Sequence, residues 1–244
     1  MYPGGVTAVE RLDLAVHEGE FMVVLGPSGC GKSTLLLVVA GLLKPTSGQV
    51  RVNGQVNPPP GKDRGFVFQQ SGLLPWFDVS TNIELGVRAK GLSRKQAHAV
   101  SQRYIDMLGL QGFERAYPHQ LSGGMQQRVG VARAFAIDPP ILLMDEPFGS
   151  LDAQTRVLLQ EELIQVWEGS GKTVLFVTHS IEEAIFMADR ITVMTARPGR
   201  VQELVDVGLA RPRTEQTREE QEYIQLQRRL WHLLRPEARR AFVE

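Results

Sequence analysis

The stretch FMVVLGPSGCGKS, residues 21–33, restricts the fold of this chain more than any other segment. Phe21–Leu25 is apolar without alternation and runs straight into Gly26, the pattern of a strand buried on both faces. Three glycines follow within a few residues, and residues 32–43 carry a helical pattern, so the segment predicts strand, glycine loop and helix. That unit commits the chain to an α/β architecture. Residues 26–33, GPSGCGKS, fit G-x-x-x-x-G-K-[ST] in the strand-to-helix context the pattern requires. Its glycines allow backbone N–H groups to curl around phosphate oxygens. Lys32 is the candidate cation for β- and γ-phosphates, and the Ser33 hydroxyl is a candidate Mg²⁺ ligand.

The remaining pattern extends the same architecture. Residues 141–144 (ILLM), 173–177 (TVLFV) and 191–194 (ITVM) read as buried strands, with helical stretches near 154–168 and 181–188 between them. Alternating strand and helix predicts a parallel sheet covered by helices on both faces. Residues 49–52 and 65–68 are short strand candidates, with Asn53-Gly54 as a turn signal between them. The run from 80 to 136 is helical throughout, including a helix that Ser93 can cap and Gly109 ends, and it reads as an inserted lobe. Ser180 and Glu183 predict a capping box at the start of another helix. Residues 215–234 are charged and glutamine-rich, with Tyr223, Leu226, Leu230, Leu233 and Leu234 at helical spacing, and predict a peripheral C-terminal helix.

Two carboxylates, Asp145 and Glu146, follow the ILLM strand. In an open α/β sheet the carboxyl ends of strands are where ligands bind. Asp145 is therefore a candidate to hold Mg²⁺, directly or through water, and Glu146 to orient and polarise an attacking water.

Composition narrows the partners. The 244 residues carry 27 basic and 27 acidic side chains, which leaves no global field to attract nucleic acid. No apolar run reaches the roughly 18 residues of a membrane-spanning helix. The opening MYPGGVTAVE has no signal-peptide pattern, and the single Cys30 suits a reducing compartment. The five histidines have no metal-ligand spacing.

LSGGMQQR at residues 121–128, between GPSGCGKS upstream and DEP-FGSLD downstream, resembles the signature of the ATP-binding subunits of ABC transporters. The resemblance covers nearly the whole chain. It implies a P-loop NTPase core with a mixed, mainly parallel sheet, an inserted α-helical subdomain and a small antiparallel β part. Within one ABC ATPase domain it implies a core from residues 1–70 and 140–207, a helical subdomain over about 71–139, and a helical tail over 208–244. VFQQSGLLPW at 67–76 and RRLWHLL at 228–234 resemble a bacterial importer subgroup handling nitrate, sulfonates and taurine.

Carried onto this sequence, the resemblance implies that ATP is held by Gly26, Pro27, Ser28, Gly29, Cys30, Gly31, Lys32, Ser33 and Thr34, with Tyr2 stacked on adenine. Mg²⁺ is held by Ser33, Gln69 and Asp145, and hydrolysis uses Glu146, His179 and Gln69. Ser122, Gly123, Gly124 and Gln126 contact the ATP of a second subunit, with Asp152 at the dimer contact. The helix opened by Ser122 presents free N–H groups and a positive dipole end, an anion site made of backbone.

The implied assembly is a head-to-tail pair of ATPase subunits, a homodimer, around two ATP. It docks on two integral membrane permease subunits near residues 69–77, with an extracytoplasmic solute-binding protein acting indirectly. It is peripheral on the cytoplasmic face of the membrane and makes no use of nucleic acid. A soluble ABC ATPase without a membrane partner is the alternative, against which stand the absence of a long coiled-coil insertion and of a basic excess. Family members carry a strand ahead of the aromatic residue at Tyr2, which implies either a start upstream of Met1 or a sheet without that edge strand. Ser180 stands where importers commonly have aspartate.

Overall fold

The structure, a computed structural model, describes residues 7–149 and 151–243. It forms two compact units, one of Met1–Gly61 with Gly171–Glu244, the other of Lys62–Ser170.

The first unit is built on strands β1 (Val9–Arg11), β2 (Phe21–Leu25), β7 (Thr173–Thr178), β8 (Arg190–Met194) and β9 (Gly199–Asp206), in the order β1-β9-β8-β2-β7. β2 is wholly buried and pairs in parallel with β7 on one side and β8 on the other, with Leu25 opposite both Thr178 and Val193. That register brings the loops after β2, β7 and β8 out at one edge. β9 pairs antiparallel with β8 and parallel with β1, so the sheet is mixed. Phe21 and Phe176 meet with ring centroids 5.9 Å apart in the core, and each such buried large side chain contributes about 1.5–3 kcal/mol.

Helix α1 (Lys32–Val39) is shorter than the predicted 32–43. Gly41 takes φ +76° and lies against residues 58–60, where a Cβ would come within 2.4 Å of the Pro58 carbonyl oxygen. This close approach turns the chain away, and Leu42 and Leu43 face solvent. The Asn53-Gly54 turn also differs from the prediction. It closes a local hairpin of β3 (Arg51–Val52) and β4 (Gln55–Val56) rather than linking to the later strand. Both turn residues have positive φ, which fits the twist of a two-residue hairpin.

Helix α6 (Ile181–Met187) follows β7 and is capped at Ser180, whose Oγ accepts from the Glu183 N–H at 3.3 Å; the other half of the predicted capping box does not form, because the Ser180 N–H donates to Thr178 Oγ1 instead. At its other end the buried Arg213 donates to the carbonyls of Ile185, Phe186 and Ala188. The C-terminal segment is a 3₁₀ turn (Glu215–Glu219) followed by helix α7 (Gln221–Val243), which runs beyond the predicted end at 234 and buries Tyr223, Leu230 and Leu234.

The second unit holds β5 (Arg64–Val67) and β6 (Ile141–Asp145), paired in parallel, with helices α2 (Val79–Ala89), α3 (Arg94–Met107), α4 (Gly123–Ala136) and α5 (Ala153–Glu168). Asp78 caps α2, and Ser93 with Gln96 forms a full capping box on α3. The helices enclose Ile83, Ala97, Ile105, Val129 and Phe135. α2 meets the chain beyond α4 closely: a Cβ on Gly86 would lie 2.3 Å from Ile137 Cγ1. The predicted helical run is interrupted between α3 and α4 by an irregular segment with a 3₁₀ turn at Pro118–Gln120.

Candidate functional site

In the first unit, residues 26–33 leave β2 and turn into α1 with Gly29 at φ +78° and Gly31 at φ +101°, conformations that side chains resist. Gly31 has a second reason to lack a side chain, since a Cβ would sit 2.6 Å from Val9 Cγ2 and 2.9 Å from the Ala8 oxygen. The loop is tied to β7 by the Gly26 N–H, which donates to Thr178 O at 3.3 Å. Lys32 is 4% exposed, and its ammonium donates to the carbonyls of Gly26 (2.9 Å) and Pro27 (3.0 Å), which holds the cation inside the curl of the loop. Ser28, Gly29 and Ser33 are exposed, while Cys30 is buried behind the loop. The result is a rim of accessible backbone over a fixed positive charge, suited to a polyphosphate.

His179 is exposed at the carboxyl end of β7, beside this loop. Its neighbours are held firmly. Thr178 Oγ1 donates to Glu183 Oε2 at 2.6 Å and accepts from the Ser180 N–H at 3.0 Å. Serine at position 180 therefore still supplies the helix cap, and Thr178 and Glu183 brace the backbone on either side of His179. Tyr2 lies outside the described residues.

In the second unit the β5–β6 register sets Val67 opposite Met144, so the chain carrying Gln69 leaves the same edge as Asp145 and Glu146. Asp145 is buried at 9% exposure. Glu146 has φ +42°, a left-handed conformation that costs a non-glycine residue strain, and such strain clusters at functional sites. Its carbonyl accepts from the Gly149 N–H at 3.1 Å, closing the turn.

Gln69 is exposed, and the loop around it is held by residues the sequence reading did not single out. Gln127 donates to Phe68 O at 3.3 Å. Arg133 donates to Gly72 O and Ser71 O, each at 2.9 Å, and burial pushes its guanidinium below the ordinary arginine pKa. The fully buried Asn82 accepts from the Leu74 N–H and donates to the carbonyls of Leu74, Phe77 and Asp78. These partners are 59 to 62 residues away for α4, and no local signal marks them.

Ser122 is the N-cap of α4, accepting from the Met125 N–H at 3.3 Å. Ser122 and Gly123 are exposed, and among the described residues a Cβ on Gly123 would meet nothing within 4 Å. Gly124 is tighter, with Leu151 and Thr155 at 3.4 Å from such a Cβ. Gln126 is turned inward, donating to Pro118 O at 2.9 Å and Leu121 O at 3.4 Å, and so fixes the approach to the helix. Asp152 caps α5, accepting from the Thr155 N–H at 3.0 Å. Those hydrogen bonds to Thr155 hold its carboxyl below the usual carboxylate pKa.

Residues 9–149 match the family model described as ABC transporter. An uncharacterized ABC transporter ATP-binding protein of Methanocaldococcus jannaschii is 50% identical over 95% of this chain and 86% of its own length. A nitrate import ATP-binding protein of Synechocystis is 44% identical, over 90% and 82%. A taurine import ATP-binding protein of Rhizobium johnstonii is 47% identical, over 86% and 80%. A solved dimeric ATP-binding cassette in a post-hydrolysis state, bound to ADP and Pi, is 35% identical with a TM-score of 0.77, covering 86% of this chain and 96% of that one. With the phosphate loop, the acidic strand end and the glycine-led helix all in place, the chain belongs to the ABC transporter family as an ATP-binding, ATP-hydrolysing cassette.

Proposed function

We propose that the chain is the ATPase subunit of an importer for a small solute of the nitrate, sulfonate or taurine kind, working as a head-to-tail pair of copies around two ATP. The observation that carries the paired arrangement is the start of α4. Gly123 has ordinary φ and open space where its side chain would be, so nothing among the described residues requires a glycine there. A group approaching from outside supplies the reason: the exposed N–H end of α4 suits the γ-phosphate of an ATP bound to a second copy. The relatives named for nitrate and taurine import, and the dimeric cassette, support this reading.

In this assignment the loop amides and Lys32 bind the phosphates, Glu146 orients and polarises the attacking water, and His179 contacts the γ-phosphate. Tyr2 stacks on adenine, and Asp152 faces the opposing copy. The Ser33 hydroxyl, Asp145 carboxylate and Gln69 amide oxygen are all-oxygen donors of the kind that suits Mg²⁺; these residues would hold the ion, and it would supply positive charge against the phosphates. Catalysis is then positioning and electrostatics. Membrane permease subunits dock near residues 69–77, where Trp76 is 65% exposed, and the helical segment 71–139 transmits closure to them. In this reading the chain works at the cytoplasmic face of the membrane.

The test is Glu146→Gln. The variant should bind ATP as tightly as the native chain, hydrolyse it about 100-fold or more slowly, and run as a nucleotide-dependent dimer on size exclusion. Hydrolysis at the native rate would remove Glu146 from the mechanism. Co-purification with a polytopic membrane protein tests the importer assignment.

A further inference from the structure

Helix α7 carries a buried carboxylate that the hydrolytic scheme does not use. Glu237 is 4% exposed, and its Oε2 accepts from the Ala196 N–H at 2.8 Å. Its other oxygen accepts from Arg240 at 3.0 Å. A buried carboxylate is retained only where its hydrogen bonds offset the cost of desolvation. Here the bond reaches 41 positions back, into the turn between β8 and β9.

That turn is stiff and rests on the phosphate loop. Thr195 N–H donates to Arg200 O at 3.0 Å, Thr195 Oγ1 donates to Pro198 O at 3.2 Å, and Arg200 N–H donates to Thr195 Oγ1 at 3.1 Å. Gly199 donates to Ala8 O and lies so close to the loop that a Cβ would fall 2.1 Å from the Cys30 oxygen. Arg197 extends over the same loop, its Nε and Nη2 donating to Gly29 O at 3.4 Å. The contacts therefore run from α7 through Glu237 and Ala196 to the backbone of Gly29 and Cys30.

We infer that Glu237 is a positioning residue for nucleotide binding: from the C-terminal helix it sets the turn that, through Arg197 and Gly199, holds the phosphate loop in its ATP-binding curl. The role rests on the assignment of residues 26–33 as the ATP-binding loop. Because Glu237 acts on the loop and touches no reacting group, its loss changes affinity rather than the chemical step.

The experiment measures ATP dissociation constants by calorimetry, and KM and kcat for hydrolysis, on the full chain and its Glu237→Ala, Glu237→Gln, Arg197→Ala and Glu237→Ala/Arg197→Ala variants. Glu237→Ala should raise Kd and KM about 5- to 10-fold, the net scale of one ordinary intramolecular hydrogen bond, with kcat within twofold of native. Glu237→Gln keeps an acceptor oxygen and should restore most of the affinity. Arg197→Ala, at an exposed position, should raise Kd by itself, and the double variant should bind better than the product of the two single effects requires. If Glu237→Ala does not fold, Arg197→Ala still decides the matter, since native affinity in that variant would overturn the inference. A Kd within twofold of native in Glu237→Ala, or fully multiplicative effects of the two substitutions, would overturn it as well. Lys32→Ala is the control: if it too leaves ATP affinity unchanged, the loop assignment itself fails, whereas weak binding by Lys32→Ala beside native affinity in Glu237→Ala overturns only the role of Glu237.

Discussion

Two glycines illustrate what single residues decide in this molecule. Gly31 is required by the fold, because its φ of +101° and the nearness of Val9 and Ala8 leave no room for a side chain. Gly123 is not, since its Cβ position is open. Gly31→Ala should therefore destabilise the chain by about 1–3 kcal/mol, the range of a strained backbone position, and weaken ATP binding with it. Gly123→Ala, at the first position of a helix, should leave urea stability within about 0.5 kcal/mol of native or slightly above it, while hydrolysis falls. Equal destabilisation by both substitutions would show that Gly123 is needed for packing. Lys32, Ser33, Asp145 and Glu146 were legible in the sequence because their chemistry is written within a few residues of the chain. The strain at Glu146, φ +42°, was not, because it arises from the turn that returns to Gly149.

At the level of elements, caps decide where the helices that present functional groups begin. Asp152 caps α5 through the Thr155 N–H, and those bonds lower its carboxyl pKa. A carboxylate with a depressed folded pKa contributes stability above its unfolded value, about 3.9, and loses that contribution as pH falls through the lower folded value. Acid should therefore weaken the start of α5. Asp152→Asn, which keeps a capping oxygen without the charge, should flatten this part of the stability profile between about pH 4 and the lower folded pKa. Identical acid profiles for the two proteins, measured by urea unfolding across that range, would show that the charge contributes nothing there.

The capping box of Ser93 and Gln96 and the N-caps at Ser122 and Ser180 follow from local sequence, and the structure has them. β9 does not follow from local sequence. Glu203 falls between Val201 and Val205 on the inward face, and Leu204 on the outward face is 44% exposed, so apolar and polar residue types do not alternate along the run. It is a strand because β8 and β1 supply its backbone partners.

For the whole molecule, ligand binding and stability are linked. A chain that binds ATP only when folded gains about 2.7 kcal/mol at a ligand concentration 100 times Kd. Thermal unfolding should therefore shift upward with ATP, and Lys32→Ala should abolish most of the shift. An equal shift in that variant would place the binding elsewhere.

The sequence by itself determined the α/β class, the phosphate loop, the acidic strand end, the glycine-led helix and the family to which they belong, because each depends on backbone geometry and residue types set within a dozen positions. Only the tertiary structure decided what supports them. Gln127 and Arg133 hold the Gln69 loop from about 60 residues away, Thr178 and Glu183 brace His179, and Glu237 reaches the turn behind the phosphate loop. Most of these contacts end on backbone carbonyls or N–H groups, which every residue carries. Nothing in the sequence of the partner announces such a bond; it exists because the fold brings a buried donor or acceptor within reach.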